Sequence, residues 1–354
     1  MAKRVNSGLP FERWPLADRR LWQSAFSNTD IFADGSVAGL KPTTLYGRLA
    51  AYRQWLGYVE AAAPELLALL PHQRVTLEAI EDYVGHLRQN CRETTVGIEI
   101  QRLYLVMRVL CPSHDWAWVN RICRRIFRGS RAMRHPEVQS PELYRLGLFL
   151  MDTALEKAEH QKLLTRSCAI RYRDGLLIAF LVEAPVRRAA LARLLINRHL
   201  SKIGQHWYVN VPAELTKTKT PQDYTLSVRL SHYVDTYIAQ IRPAFSGADT
   251  HSSFWPFIGR PMTDRMIWRR VIRRTRDGLG IAVPPHRFRN AAATFLTLQD
   301  PANAFAARDL LGHKSLTMTK KHYVDRAQSR IAGQQLSSII QKIKTNENSE
   351  TCAA

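Results

Sequence analysis

The sequence predicts a mainly α-helical fold with a small β-sheet, an α+β class, divided into two domains. Apolar residues recur at three- and four-residue spacing through most of the chain, which is typical of amphipathic helices. Alternation of apolar and polar residues, typical of strands, is clear only in two short runs near the middle. The 354 residues, 45 % of them hydrophobic, suffice for two domains of roughly 100–200 residues each.

The first domain is predicted to be a helical module over residues 41–128, after an irregular N-terminal extension over residues 1–40. Gly8, Pro10 and Pro15 interrupt the apolar residues of the extension, and such residues commonly mark loops. From residue 41 onward the helical spacing is regular. Four helices are predicted, covering about residues 41–59, 76–90, 94–110 and 118–127.

A linker over residues 129–141 is predicted to lead into a second domain over residues 142–332. Two strands are expected at residues 207–211 and 224–228. The polar, proline-containing segment 216–221 joins them, which favours a β-hairpin. Further helices are predicted at residues 141–158, 164–182, 187–196, 231–243, 262–277, 286–297 and 303–311.

The composition points to a polyanionic partner. Lys plus Arg number 51 against 30 Asp plus Glu, which gives a net charge of +21, and nucleic acid is the commonest partner of so basic a chain. An acidic membrane surface is the alternative. It is disfavoured because the apolar run at residues 175–182 is far shorter than the ~18–20 residues of a membrane-spanning helix.

The cysteines and the N-terminus favour a cytoplasmic protein without a cofactor. The five cysteines are scattered and show no zinc-ligand or disulfide-framework spacing. The first residues contain no apolar signal-peptide core. We therefore expect free thiols, no metal and no other cofactor.

Six arginines lie at the end of the helical module, with no acidic residue among them. Such a run is either a solvent-exposed face or a DNA-binding surface. We favour DNA binding, because like charges repel one another unless phosphates neutralise them. The residues are Arg121, Arg124, Arg125, Arg128, Arg131 and Arg134.

The last quarter of the chain contains an H-x-x-R box at 286–289, an L-L-G-H box at 310–313, and Tyr323 ten residues after His313. Together they resemble the catalytic core of the tyrosine recombinases, or phage integrases. The resemblance covers roughly residues 184–326. It implies metal-free phosphoryl transfer from DNA to a tyrosine, with Tyr323 as the nucleophile.

The resemblance also assigns two catalytic arginines. Arg289 of the H-x-x-R box matches the second. The stretch 184–191 resembles the motif of the first and places it at Arg187, with Arg188 as the alternative. Ala190 stands where the family commonly has a glutamate. Arginine suits the role because its planar fork grips two phosphate oxygens and keeps its charge.

The remaining catalytic groups follow from the same resemblance. A hairpin lysine protonates the leaving oxygen. Lys217 is favoured over Lys219, because family hairpins often read K-T before the second strand. His286 handles a proton, and His313 donates a hydrogen bond in the transition state. Imidazole suits both tasks near neutral pH.

The family's architecture is a helical core-binding (SAM-like) domain followed by a catalytic domain, which together form a C-shaped clamp on double-stranded DNA. The implied function is site-specific recombination through a 3′-phosphotyrosine intermediate, serving integration, excision or resolution of a mobile element. The protein would then be bacterial, phage- or plasmid-encoded and nucleoid-associated. Two alternatives stay open: topoisomerase IB-like relaxation of DNA, and a catalytically silent DNA-binding protein of the same fold.

The C-terminal tail, residues 333–354, contains an amphipathic helical pattern, since Leu336, Ile339, Ile340 and Ile343 fall on one face. This face packs either on its own domain or on a neighbouring protomer, as C-terminal helices do in the family. The second interpretation predicts a homotetramer on two DNA sites, with a monomer or weak oligomer in the absence of DNA.

Overall fold

The computed structural model describes residues 8–26, 40–130, 138–299 and 304–311. The chain divides into two compact units, Met1–Arg134 and His135–Ala354, each with its own hydrophobic core. The mainly helical class with small sheets is confirmed. Within the described ranges, no helix is both long enough and apolar enough to cross a membrane.

The first unit is helical throughout its described residues. Helix α5 packs against α2 and α6, and its apolar residues Val96, Ile100 and Leu103 are fully buried. The four predicted helices correspond to α2, α4, α5 and α6. The bounds are α1 (Leu16–Phe26), α2 (Pro42–Ala62), α3 (Pro71–Arg74), α4 (Leu77–Arg88), α5 (Glu93–Leu110) and α6 (Ala117–Gly129).

The prediction of an irregular stretch over residues 1–40 is wrong within residues 8–26. Helix α1 occupies much of that part, and the side chains of Leu9 and Trp14 are only 2 % exposed, within the core of the first unit. Pro15 directly precedes α1, and proline is tolerated at the beginning of a helix. The proline that suggested a loop therefore marks a helix start.

A buried ion pair fixes α1 to the rest of this unit. The Asp18 carboxylate accepts hydrogen bonds from Arg74 Nη1 at 2.8 Å, from Arg74 Nη2 at 2.5 Å and from Tyr52 Oη at 2.6 Å. All three side chains are fully buried. Because a buried charge is costly without its partner, these contacts require residues 8–26 to pack against the helical module.

The second unit is built around α8, which packs against α7. The two helices approach closely at Gly147 and Gly175, where a Cβ atom would lie 2.8 Å from Ala179 N and 2.7 Å from Gly147 O, respectively. The helices are α7 (Ser140–His160), α8 (Arg166–Glu183), α9 (Arg188–Leu191), α10 (Val228–Thr236), α11 (Asp264–Leu279), α12 (Pro285–Gln299) and α13 (Ala304–Leu311).

The predicted hairpin is confirmed as two strands of a three-stranded antiparallel sheet with the order β1-β2-β3. Val209 of β2 pairs with Tyr224 of β3. A second, two-stranded sheet consists of β4 and β5. The strands are β1 (Leu200–Ile203), β2 (His206–Val211), β3 (Gln222–Thr225), β4 (Pro256–Phe257) and β5 (Arg260–Pro261).

Strand β3 ends earlier than the predicted boundary of residue 228, because Ser227 begins a helix. The Ser227 Oγ accepts from Leu230 N at 3.2 Å and so caps α10. The same hydroxyl and the Ser227 N–H both donate to the Glu183 carboxylate at 2.7 Å. The end of α8 is thus held against the start of α10, just before the segment that carries Arg187.

The predicted helix over residues 187–196 is wrong beyond Leu191, and β1 was not predicted. Leu194 O accepts from Phe254 N at 2.9 Å, and Ile196 N donates to Ser252 O at 2.9 Å. These backbone contacts with a distant segment replace the helical hydrogen bonds after α9. The predicted helix over residues 231–243 also differs, since α10 ends at Thr236 and a π-helical turn, Tyr237–Ile241, follows.

Candidate active site

Arg289 connects the segments that carry three of the predicted catalytic motifs. It lies in the first turns of α12 and is 7 % exposed. Its Nη1 donates to Pro185 O and its Nη2 to Leu311 O. Pro185 lies two residues before Arg187, and Leu311 begins the last three residues of the L-L-G-H box. One buried guanidinium therefore brings together both arginine motifs and the start of the L-L-G-H box.

Arg187 occupies the N-cap position of α9 and is half-buried. Its Nη1 atom is buried and has no hydrogen-bond partner among the residues that the structure describes. Burying a charged donor without a partner costs free energy. Such a group is suited to bind an anion that replaces the missing partner, and a phosphate oxygen is an anion of the required kind.

Tyr224 belongs to the site, although the sequence pattern predicts for it only a position in a strand. Its Oη donates to Leu310 O at 3.2 Å, and its side chain is buried. Burial raises the pKa of the Tyr224 phenol, whereas the charge and hydrogen bond of Arg289 and the charge of Arg187 act in the opposite direction. The phenol therefore lies near both arginines.

The hairpin lysines lie on the connection between β2 and β3. Lys217 and Lys219 are both exposed, and Lys219 has a positive φ of 55°. The Thr216 Oγ1 organises this connection, because it donates to Ala213 O at 3.0 Å and accepts from Thr220 N at 3.1 Å. The strand that follows this connection, β3, carries Tyr224, whose phenol lies near both arginines.

His286 is exposed on the first turn of α12, three residues before the buried Arg289. Residues at this spacing lie close together on a helix. The imidazole is therefore on the solvent side of the buried guanidinium. His313 and Tyr323 lie outside the described residues, as do Arg131 and Arg134 of the arginine run.

The other four arginines of the run, Arg121, Arg124, Arg125 and Arg128, lie on α6, and all are exposed. The opposite face of α6 is apolar, with Val119, Cys123 and Ile126 buried. None of the four forms an ion pair with another described residue. The structure thus presents them as one uncompensated basic face of the first unit.

Helix α11 carries a second basic face, which was not among the predicted DNA-binding residues. Its residues Ile267, Val271 and Thr275 are buried at four-residue spacing. The helix is held to α8 by the buried Asp174, which accepts from Arg274 Nε at 3.0 Å. The sequence contained the signal, since the arginines alternate with the apolar positions. The exposed arginines of α11 are Arg265, Arg269, Arg273 and Arg276.

The sequence matches the model of the phage integrase family over residues 153–330. This range is half of the chain and includes all six predicted catalytic positions. No curated protein matches the sequence significantly.

Solved recombinase structures share the fold. The Tn1549 transposon integrase in complex with circular intermediate DNA is 14 % identical, with a TM-score of 0.55 over 84 % of this chain and 95 % of that one. XerH recombinase in a post-cleavage complex with palindromic difH substrate is 14 % identical, with a TM-score of 0.53 over 94 % and 99 %.

A lambda integrase dimer bound to a COC′ core site is likewise 14 % identical, with a TM-score of 0.53 over 88 % of this chain and 76 % of that one. At such identities these likenesses show the fold, whereas the family match rests on the sequence itself. The chain belongs to the phage integrase family, the tyrosine-type site-specific recombinases.

Proposed function

We propose that this protein cleaves and rejoins double-stranded DNA at specific sites through a 3′-phosphotyrosine intermediate. The observation that carries the proposal is the position of Arg289, whose guanidinium contacts the backbone of the first arginine motif and of the L-L-G-H box. These contacts bring together segments that are far apart in the sequence. The two arginines of these segments would supply the two fixed positive charges that cleavage of a phosphodiester needs.

In the proposed reaction the Tyr323 phenolic oxygen attacks the scissile phosphorus. A bond forms between that oxygen and phosphorus, and the bond between phosphorus and the 5′-oxygen breaks. Arg187 and Arg289 stabilise the charge on the non-bridging oxygens, which is the kind of preorganised electrostatic effect that contributes most to catalysis. His313 donates a further hydrogen bond to these oxygens.

Two protons move in this step. The phenol loses one, which we assign to His286 as the acceptor, and the leaving 5′-oxygen gains one from Lys217. A 5′-hydroxyl of the partner strand then attacks the phosphotyrosine and reverses the sequence. Because the covalent link conserves the energy of the phosphodiester bond, the cycle requires no metal, nucleotide or other cofactor.

We assign the proton donation to Lys217 rather than Lys219 and expect a chemical rescue to separate them. A substrate with a 5′-thio leaving group needs no proton donor, because a thiolate leaves unprotonated. Cleavage by Lys217→Ala should therefore return to near the native rate on the thio substrate and stay slow on the ordinary one. Rescue of Lys219→Ala alone would exchange the two assignments.

DNA as the partner is supported by the net charge of +21, by the uncompensated basic face of α6 and by the basic face of α11, in which Arg273 pairs with Asp277 at 3.6 Å. The solved relatives XerH, lambda integrase and the Tn1549 integrase are described in complex with DNA. We propose that residues 41–128 form a core-binding domain, that the linker 129–141 follows, and that residues 142–332 form the catalytic domain. Together they would clamp the duplex, in the cytoplasm at the nucleoid.

The α6 arginines are expected to make phosphate contacts, which weaken as salt rises. Each phosphate neutralised contributes about 0.9 to the slope of log affinity against log salt concentration. The variant Arg124→Gln/Arg128→Gln should lower DNA affinity and reduce this slope by about 1–2. The control is Arg13→Gln/Arg88→Gln, which removes two exposed arginines that are already paired with Glu60 and Glu93. Equal slopes for both variants would contradict DNA contact by α6.

We further propose that four protomers assemble on two DNA sites, each through its tail, residues 333–354. The support is the sequence pattern in which Leu336, Ile339, Ile340 and Ile343 recur at helical spacing. Sedimentation of the protein with its DNA site measures this assembly, and comparison with a chain that ends at residue 333 tests the tail. Truncated protein that still forms the tetramer would contradict the docking role.

The function as a whole is tested by selecting covalently bound DNA. A library of random duplexes and genomic fragments is incubated with the protein, and the DNA that stays attached after denaturation is sequenced. We expect one enriched site, linked through its 3′-phosphate and carrying a free 5′-hydroxyl. The proposal is refuted if the DNA recovered with the wild-type protein shows no enriched site relative to the DNA recovered with Tyr323→Phe. Strand exchange between two marked duplexes of that site distinguishes recombination from topoisomerase-like relaxation.

A further inference from the structure

The last turn of α13 ends against two side chains of the site. Leu310 and Leu311 are the last two described residues of α13, and the carbonyls of both accept hydrogen bonds from these side chains. Tyr224 Oη donates to Leu310 O at 3.2 Å, and Arg289 Nη2 donates to Leu311 O. Neighbouring carbonyls of one helix end are therefore held by a phenol from the sheet and a guanidinium from α12.

The phenol also lies close to the guanidiniums. The hydrogen bond and charge of Arg289 and the charge of Arg187 lower the pKa of Tyr224, against the larger raising effect of burial. A buried phenol with a raised pKa stays neutral near neutral pH. It can therefore occupy Leu310 O beside the Leu311 O that Arg289 contacts, and leave the positive charge of the guanidinium available.

The neutrality of these partners matters for the chemistry. A carboxylate at the same place would hold the guanidinium equally well but would offset the charge that a phosphate must meet. Pro185 O, Leu311 O and the Tyr224 phenol are all neutral oxygens. They can fix the direction of Arg289 with little effect on its net charge.

Tyr224 also links the hairpin to this arrangement. Strand β3 pairs with β2 through the register of Tyr224 with Val209, and the connection between these strands carries Lys217. A side chain fixed in β3 that donates to Leu310 O, next to the Leu311 O held by Arg289, couples the position of the hairpin to that of the arginine.

We propose that Tyr224 is a positioning residue of the active site, which orients Arg289 and fixes the end of α13 without touching DNA. The proposal rests on the proposed recombinase reaction. It goes beyond the six residues that the family motifs assign, because Tyr224 belongs to none of those motifs in this sequence.

The test is single-turnover cleavage of the selected DNA site by Tyr224→Phe. The substitution removes one oxygen and keeps the buried ring. We expect cleavage of bound DNA to slow roughly 5- to 20-fold, since one hydrogen bond that orients a catalytic group contributes on this scale, with DNA affinity unchanged. The matched control is Tyr237→Phe, which removes a fully buried phenol that donates to Phe254 O at 2.9 Å. It should cleave at the native rate.

A methylphosphonate at the scissile position separates positioning from general stability. This substrate lacks the negative charge of one non-bridging oxygen, so it depends less on oriented arginines. The defect of Tyr224→Phe should shrink to within about two-fold on it. In an Arg289→Lys background, adding Tyr224→Phe should have little further effect, because the group that it orients is gone.

Three results would overturn the positioning role: a native rate for Tyr224→Phe, an equal defect in Tyr237→Phe, or a defect that persists undiminished on methylphosphonate. Failure of the underlying function would be recognised differently, because wild-type protein would then form no covalent adduct at all. A complete loss of the adduct in Tyr224→Phe, with the adduct retained in Tyr323→Phe, would make Tyr224 the nucleophile; it would overturn the positioning role and the assignment of Tyr323 but not the phosphotyrosine reaction.

Discussion

Tyr323→Phe is expected to abolish the covalent DNA adduct while leaving DNA binding intact. The substitution removes only the phenolic oxygen, the atom that forms the bond to phosphorus. The basic faces that would bind the duplex are unchanged. The measurement is a denaturing gel of the protein with labelled DNA of the selected site, together with an affinity measurement of the same variant. We expect no adduct and native affinity.

The control for this prediction is Tyr224→Phe, because Tyr224 is the described tyrosine whose phenol lies near both arginines. It should form the adduct slowly but completely. An adduct that persists in Tyr323→Phe would show that another residue is the nucleophile, and mass spectrometry of the adduct peptide would identify it. A buried phenol that donates to a backbone carbonyl, as Tyr224 does, is poorly placed for in-line attack.

The regular helices could be predicted from the sequence because their signal is local. Helix α5 keeps apolar residues at helical spacing through Val96, Ile100 and Leu103, and its ends lie within one residue of the prediction. The errors occur where distant contacts decide the structure. Residues after Leu191 leave the helix because Leu194 and Ile196 pair with the segment around Ser252.

In the candidate site, too, the features with a local sequence pattern could be predicted, and those that depend on distant contacts could not. Arg289 could be assigned because the H-x-x-R box is a short local pattern. Its partners could not, since Pro185 lies 104 residues away and Leu311 22 residues away. The role of Tyr224 depends on a contact with Leu310 across 86 residues, which no spacing rule reveals. The basic face of α11 was predictable in principle, because its arginines follow helical spacing.

The two arginines differ in what holds them, and this difference matters for mutagenesis. Arg289 donates to Pro185 O and Leu311 O, so it supports the fold as well as the chemistry. Arg187 Nη1 is buried and has no hydrogen-bond partner within residues 138–299 and 304–311, so an incoming phosphate oxygen can satisfy it. Groups of this second kind are common where function is favoured over stability.

Arg187→Ala and Arg289→Ala are therefore each expected to slow cleavage by about 10²–10³-fold, the loss that follows removal of one preorganised donor. Their effects on stability should differ. Arg289→Ala removes the donor from the backbone carbonyls of two buried residues, Pro185 and Leu311, at a cost of about 1–3 kcal/mol for each in the free energy of unfolding. Arg187→Ala should leave the melting temperature unchanged or slightly higher. Single-turnover cleavage and thermal melts of the same preparations measure both quantities.

Arg188→Ala is the matched control, because Arg188 is the neighbouring arginine and the alternative match to the first arginine motif. It is exposed and pairs with Asp264 at 2.8 Å, where both side chains are 42 % exposed. An exposed pair of this kind contributes little to stability, and its guanidinium is already engaged with a carboxylate. We expect Arg188→Ala to cleave at close to the native rate. Suppose instead that Arg188→Ala cleaves slowly while Arg187→Ala cleaves at the native rate. Arg187 would then have no part in the reaction, and Arg188 would be the catalytic arginine that acts with Arg289.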